Sequence, residues 1–175
     1  MRVIAGEFRS RVLKTVPGME TRPTPDRLRE SLFNVLAPEI EGVVFLDAYA
    51  GSGAVGIEAV SRGAAKAILI ERARAAADVI RENVGALKLA GRVEVLHGRV
   101  LQYLPHRKAD IAFLDPPYEL QKEYSESLEI LAAGETPLVI VQHSSRMKLE
   151  EQYGSLHRSR VLTQRENSLS FYRRA

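Results

Sequence analysis

Apolar positions divide the chain near residue 42. Beyond it, short apolar runs alternate with stretches of helical periodicity. Val43–Leu46, Ala67–Ile70, Val93–Leu96, Ile111–Leu114 and Leu138–Val141 predict strands. Ala54–Arg62, Ala73–Leu89 and Tyr124–Ala133, with a short turn near Leu101–Leu104, predict the helices between them. Such alternation implies right-handed βαβ crossovers and a doubly wound, mostly parallel sheet. Two closing runs, Ser159–Leu162 and Leu169–Tyr172, have no helix between them and predict an antiparallel pair, for seven strands in all.

Before residue 42 the pattern is different. Val3–Ala5 and Val12–Thr15 predict two short strands, and Pro17-Gly18 a turn. Arg22-Pro23-Thr24-Pro25 must be extended or turning, because each proline disfavours helix in the residue before it. Asp26 has the character of an N-cap, and Leu28, Leu32, Phe33, Val35 and Leu36 form a helical stripe that Pro38 ends. The expected organisation is one domain, with residues 1–41 a small hairpin and helix extension and residues 42–175 the core.

Two places in this pattern carry chemistry. The first is Ile111–Leu114 followed by Asp115-Pro116-Pro117-Tyr118. Four apolar residues in a row suit a strand buried on both faces, and two prolines without N–H groups cannot continue a ladder. The strand must stop at a carboxylate, two rigid residues and a ring, at the end of a parallel strand where open α/β sheets bind ligands. A capped Pro-Pro turn with a packed tyrosine is the plainer reading. The second place is Asp47-Ala48-Tyr49-Ala50-Gly51-Ser52-Gly53-Ala54-Val55-Gly56, where Gly51, Gly53 and Gly56 match G-x-G-x-x-G. Glu71 ends the next strand twenty residues after Gly51, where a carboxylate can accept ribose hydroxyls.

Asp47 discriminates among nucleotide-like ligands. A carboxylate at the loop is a like-charge clash for a pyrophosphate and an attraction for an ammonium or sulfonium, which S-adenosylmethionine has. A planar amine is then a fitting acceptor. Asp115 and the carbonyl of Pro116 or Pro117 can accept its two protons, and Tyr118 can stack on a base. No metal is needed, and His97, His106, His143 and His157 are scattered without ligand spacing.

Composition narrows the setting. The 175 residues contain no cysteine, which excludes disulfides and thiolate chemistry, and no apolar run reaches membrane-spanning length. A cytoplasmic, monomeric protein is expected. The net charge of +3 is concentrated at the ends. Residues 1–30 hold seven bases against four acids, and residues 156–175 hold five against one. If the ends meet, they form a polyanion-binding face; otherwise they are solvated surfaces.

Over nearly its full length the chain resembles the bacterial guanine-N2 methyltransferases of small-subunit ribosomal RNA, the RsmD type. The resemblance lies in Met1-Arg-Val-Ile-Ala-Gly6, in Thr21-Arg22-Pro23-Thr24 joined to Asp26–Leu36, in the loop from Asp47 to Gly56, and in Asp115-Pro-Pro-Tyr118. It implies a Rossmann-like class I methyltransferase fold, S-adenosylmethionine as cofactor, and a guanine exocyclic N2 in 16S ribosomal RNA, free or within the assembled subunit, as acceptor. Catalytic candidates are Asp115, Pro116, Pro117 and Tyr118. Cofactor candidates are Asp47, Tyr49, Ala50, Gly51, Ser52, Gly53, Glu71, Arg72, Arg99 and Val100, and RNA-binding candidates are Arg9, Arg11, Arg22 and Thr24. Two features depart from the family. Arg99 stands where an acid or amide often meets the adenine amine, and Gln164–Tyr172 lacks a Tyr-Gly pair. Because Arg99 can only donate, backbone groups near Arg99 and Val100 would have to serve. Pro-Pro-Tyr sites also methylate adenine N6 in DNA and glutamine amides in proteins, and a nucleic-acid-binding module without catalysis is a further alternative.

Overall fold

The computed structural model describes residues 1–18 and 24–175. In chain order the elements are α1 (Asp26–Leu36), β1 (Val44–Ala48), α2 (Ala54–Ser61), β2 (Lys66–Glu71), α3 (Arg74–Ala86), β3 (Val93–His97), α4 (Val100–Tyr103), a 3-10 turn at Leu104–His106, β4 (Ile111–Leu114), α5 (Gln121–Ala133), β5 (Leu138–Ser144), β6 (Gln152–Tyr153), β7 (Leu156–Gln164) and β8 (Asn167–Arg174). One sheet runs β3-β2-β1-β4-β5-β8-β7-β6. Its first five strands are parallel, β8 pairs antiparallel with β5, and β7 and β6 complete that edge. The eighth strand corrects the expected seven. It is the two-residue β6, too short to leave a periodicity.

Period-two alternation sorts the buried strand residues onto two faces. Ile111 and Phe113 of β4 join Phe45, Leu138, Ile140, Leu169 and Phe171 beneath α1, where Leu28, Leu32, Phe33 and Leu36 pack. Ala112 and Leu114 face the other way, with Tyr124, Leu128 and Leu131 of α5. A third cluster joins α2 and α3 to Leu69 and to Val3 and Leu13 of the N-terminal segment. The four-residue apolar run of β4 therefore reflects burial on both faces.

The N-terminal hairpin reduces to a single antiparallel bridge between Arg2 and Val12. The segment is held instead by side chains. Glu58, fully buried in α2, accepts the Ile4 and Ala5 N–H groups at 2.8 and 3.0 Å and the Arg62 guanidinium at 2.9 Å. A Cβ on Gly6 would stand 1.9 Å from the Ser61 carbonyl oxygen, so this contact requires glycine. Pro25, not Asp26, occupies the N-cap position of α1; Asp26 opens the helix and accepts from the buried Arg29 at 3.2 Å. Helix α5 begins at Gln121, three residues before Tyr124, and α3 closes at Ala86.

Among the described residues no helix is long and apolar enough to cross a membrane, and no group of three or more His, Asp or Glu side chains could hold a metal ion.

Candidate active site

Strand β1 delivers Asp47 to the carboxyl edge of the sheet at 1% exposure, where Oδ2 accepts the Gly56 N–H at 2.9 Å. Burial raises this carboxyl. The Gly56 hydrogen bond lowers it in part, and the negative charges of Asp115 and Glu71 raise it further, so that it is pushed up to about 8. Gly56 is required for close packing, since a Cβ there would lie 2.6 Å from Leu69 Cδ1. Glu71 ends β2 and latches the loop. Its Oε2 accepts the Gly51 N–H at 2.6 Å and its Oε1 the Ala73 N–H at 2.8 Å. The Ala50 N–H donates to the Ile70 carbonyl and the Gly53 N–H to the Ala50 carbonyl, each at 2.8 Å.

These features fit S-adenosylmethionine. The carboxylates of Asp115 and Glu71 both act on Asp47, and a cation relieves that repulsion where a pyrophosphate adds to it. At Gly51 a Cβ would meet nothing within 4 Å, so the loop borders open space.

Several of the other cofactor candidates have partners of their own. Tyr49, at φ 65°, sends its hydroxyl away from the loop to α5, donating to Glu123 Oε2 at 2.6 Å and pairing with Ser127 Oγ at 2.9 Å. Burial, then the Glu123 bond, raises its phenol, which stays a donor. Its hydroxyl is thereby committed to α5, which leaves its backbone and ring at the loop. Ser52 Oγ donates to Met1 Sδ at 3.4 Å. Arg72 is exposed, and its carbonyl accepts from His97 Nε2 at 3.1 Å. Arg99 is exposed just before α4, whereas Val100 is buried.

The acceptor half is built on the neighbouring strand. Asp47 lies beside Phe113 in register, so Asp115 stands at the next position on the same face. On β5 that position falls beside Gln142, which is 5% exposed. Asp47, Asp115 and Gln142 thus line three adjacent strand ends. Gln142 Oε1 accepts from Thr24 Oγ1 at 3.2 Å, which brings Thr24 to the mouth of the site; Arg22 lies outside the described residues. The Pro116 carbonyl accepts from the buried Tyr124 hydroxyl at 2.9 Å, and the Pro117 carbonyl from the Leu120 N–H at 2.9 Å. Tyr118 is half-buried; its hydroxyl donates to Asn167 Oδ1 at 3.4 Å, and its carbonyl accepts from Gln121 Nε2 at 2.6 Å. Tyr124, Gln142 and Asn167 carry no signal of this role in the sequence. Each reads there as an ordinary helix or strand position.

The basic termini behave otherwise than a single face would require. Arg173 pairs with Glu39 at 2.8 Å, and Arg174 donates to the Leu131 and Ala132 carbonyls at the end of α5. Arg9 and Arg11 lie in the turn where the Glu7 N–H bonds to the Ser61 carbonyl, at the C-terminal end of α2. The glycine loop is at the opposite end of that helix, about 12 Å away at 1.5 Å per residue. The Glu7 end of their segment therefore lies away from the loop, while Met1, whose carbonyl accepts the Leu13 N–H, touches the loop at Ser52.

Comparison with known proteins gives the same picture. A family model described as "Conserved hypothetical protein 95" matches residues 1–173. The Bacillus subtilis protein YlbH is 34% identical over 184 residues, covering 99% of each chain. The ribosomal RNA small subunit methyltransferase D of Escherichia coli is 43% identical over 120 residues, which span 67% of this chain and 60% of that protein. The solved structure of the Escherichia coli protein yhhF superposes with a TM-score of 0.88 at 32% identity, covering 99% of this chain and 97% of that one. The chain therefore belongs to the Conserved hypothetical protein 95 family, that of the methyltransferase D proteins, with their Rossmann-like fold and their dependence on S-adenosylmethionine.

Proposed function

We propose that this protein methylates the exocyclic N2 amine of a guanine in 16S ribosomal RNA. The supporting observation is the juxtaposition of Asp47 and Asp115 on adjacent strands β1 and β4, where the strand order reverses and open α/β sheets place their ligands. The RNA substrate is that of the named methyltransferase D relatives, and guanine N2 rests on the likeness of the Arg-Pro-Thr block and the Asp-Pro-Pro-Tyr motif.

S-adenosylmethionine, when bound, supplies an electrophilic methyl on a sulfonium. Asp47 and the Gly51 to Gly53 backbone would hold its amino-acid end, and Glu71, which latches the loop through the Gly51 N–H, would offer its remaining lone pairs to a ribose. The remaining task belongs to the acceptor motif. A base amine is a poor nucleophile because its lone pair is delocalised into the ring. Asp115 accepts one amine proton and the second lone pair of the Pro116 carbonyl accepts the other. This favours a tetrahedral nitrogen and leaves Asp115 placed to take the proton that the alkylated nitrogen sheds. The Tyr124 hydroxyl fixes the Pro116 carbonyl, so the acceptors are in place before the base arrives. Tyr118 stacks on the base, a contact worth about 1–3 kcal/mol.

The deciding experiment is tritiated-methyl transfer onto undermethylated 30S particles, naked 16S RNA, DNA and protein in parallel, followed by nucleoside analysis of the labelled RNA. N2-methylguanosine is expected. Label confined to DNA or protein overturns the assignment.

A further inference from the structure

Between β5 and β6 the chain makes a loop that the charge pattern of the sequence does not single out. It borders an open cleft of about 560 Å³ lined by Tyr118, Gln121, Ser144, Arg146, Met147 and Lys148. One wall is the ring of the Asp-Pro-Pro-Tyr motif and the start of α5; the other carries two bases and no acid. Arg146 and Lys148 are both exposed, and neither pairs with a carboxylate among the described residues. Some other bases are paired with acids, Lys14 with Glu82, Arg62 with Glu58, Arg92 with Glu7 and Arg173 with Glu39; what distinguishes Arg146 and Lys148 is their place on the wall facing Tyr118.

The loop is held in place. The Ser145 N–H donates to the Glu166 carbonyl at 2.9 Å, the Met147 N–H to the Ser144 carbonyl at 3.0 Å, and the Arg146 N–H to Ser144 Oγ at 3.2 Å. At its far end the Glu150 N–H donates to the Tyr153 hydroxyl at 3.0 Å, and the Glu150 carbonyl accepts from the Tyr172 hydroxyl at 2.6 Å. Met147 and Leu149 pack against the α5-side core. Two unpaired bases alternate here with two apolar anchors on a pinned backbone. Their charge is thus offered at one place, beside the residue proposed to stack on the base. A nucleotide stacked on Tyr118 carries its own phosphates on either side, and a pair of bases at this wall complements them.

We propose that Arg146 and Lys148 bind the phosphates flanking the target nucleotide, making the β5–β6 loop the backbone clamp of the acceptor site. The assignment rests on the RNA-methylation reading above and names the residues that position its substrate.

The test uses the full chain with Arg146→Gln and Lys148→Gln combined, and a charge-reversed Arg146→Glu/Lys148→Glu form as the stronger perturbation. Cofactor affinity by calorimetry and the thermal midpoint are expected to match the parent, which establishes folding. The dependence of log K on log salt for naked 16S RNA should become shallower by about 1.4, at roughly 0.7 per lost phosphate contact on single strands. KM for RNA should rise about tenfold while kcat at saturation is retained, because phosphate contacts hold the substrate equally before and during transfer. An unchanged salt slope and KM, with RNA still methylated by both proteins, overturns the clamp and leaves the methyltransferase reading intact. Where the parent methylates naked 16S RNA, a loss confined to 30S particles assigns the two bases to an acidic ribosomal-protein surface, which also overturns it; where the parent methylates only 30S particles, the rise in KM must appear there or the clamp falls. Failure of the parent itself to label any RNA overturns the parent reading and the clamp with it.

Discussion

The cofactor half and the acceptor half of the site occupy neighbouring strand ends, and they are held by different means. Around Asp47–Gly56 the backbone of the loop is fixed from within about twenty residues, by Asp47 on Gly56, Ala50 on Gly53 and Glu71 on Gly51, and only the Tyr49 and Ser52 side chains reach farther. Around Asp115–Tyr118 local bonds from Leu120, Gln121 and Tyr124 fix the backbone, while distant parts of the chain furnish the surroundings: Asn167 at the Tyr118 hydroxyl, and Thr24 on Gln142 beside Asp115. A loop that wraps a cofactor can be specified by glycines and a following acid. A site that must seat a large substrate draws on whatever elements reach its edge. Helix α5 serves both halves, with Glu123 and Ser127 holding Tyr49 on one side and Tyr124 holding the Pro116 carbonyl on the other.

The largest effect should come from the acceptor half alone. Asp115→Ala is expected to lower methyl transfer by at least about 10²–10³-fold, the scale of removing a group that acts in the transition state. Calorimetry should find cofactor affinity retained; parallel loss of binding would place Asp115 in the cofactor half and erase the distinction.

Asp47 gives the cofactor half its own signature. In the unfolded chain an aspartate titrates near about 3.9, whereas folding raises Asp47 to about 8. Between these values the folded protein binds the extra proton, so its stability without cofactor should fall as pH rises from about 4 to about 8. Asp47→Asn should flatten that slope in denaturant titrations across the window. Binding of the positively charged cofactor favours the carboxylate, so proton release at pH 7 should be visible as a buffer-dependent binding enthalpy. A pH-independent slope would mean that Asp47 is ionised without its ligand.

Gly56→Ala tests the packing of the same half. The new Cβ meets Leu69 in a closed core, and overpacking of this kind costs about 1–3 kcal/mol. Chemical denaturation should show the loss, and cofactor affinity should fall with it. The smallest effect is expected from Tyr124→Phe, which deletes one hydrogen bond worth about 0.5–1.5 kcal/mol. Here kcat should fall by less than about tenfold with cofactor Kd unchanged, and a change in Kd would show that α5 couples the two halves.

How much of this was legible beforehand follows the same division. Beta strands and glycine motifs are local signals, so the parallel order, the Asp47–Gly56 loop and Glu71 could be read from spacing. Tyr124 gave no comparable signal, since an aromatic residue on an amphipathic helix reads as core, and it is indeed 1% exposed. Arg9 and Arg11 stand out when charge is counted along the chain. The fold places their turn at the far end of α2 and gives Arg173 and Arg174 to Glu39 and to α5. Charge counted along a chain says nothing about which face it reaches.

By itself the sequence determined the sheet, its order of strands and helices, and the chemical character of both strand ends, because periodicity and glycine spacing are enforced residue by residue. Only the tertiary structure decided that Asp115 falls beside Gln142 and one step beyond Asp47 on the same face, that Tyr49 turns to α5, and that Arg146 and Lys148 are the bases beside Tyr118. Those are outcomes of strand register and loop closure, which bring together residues separated by tens of positions and leave no local pattern in the chain.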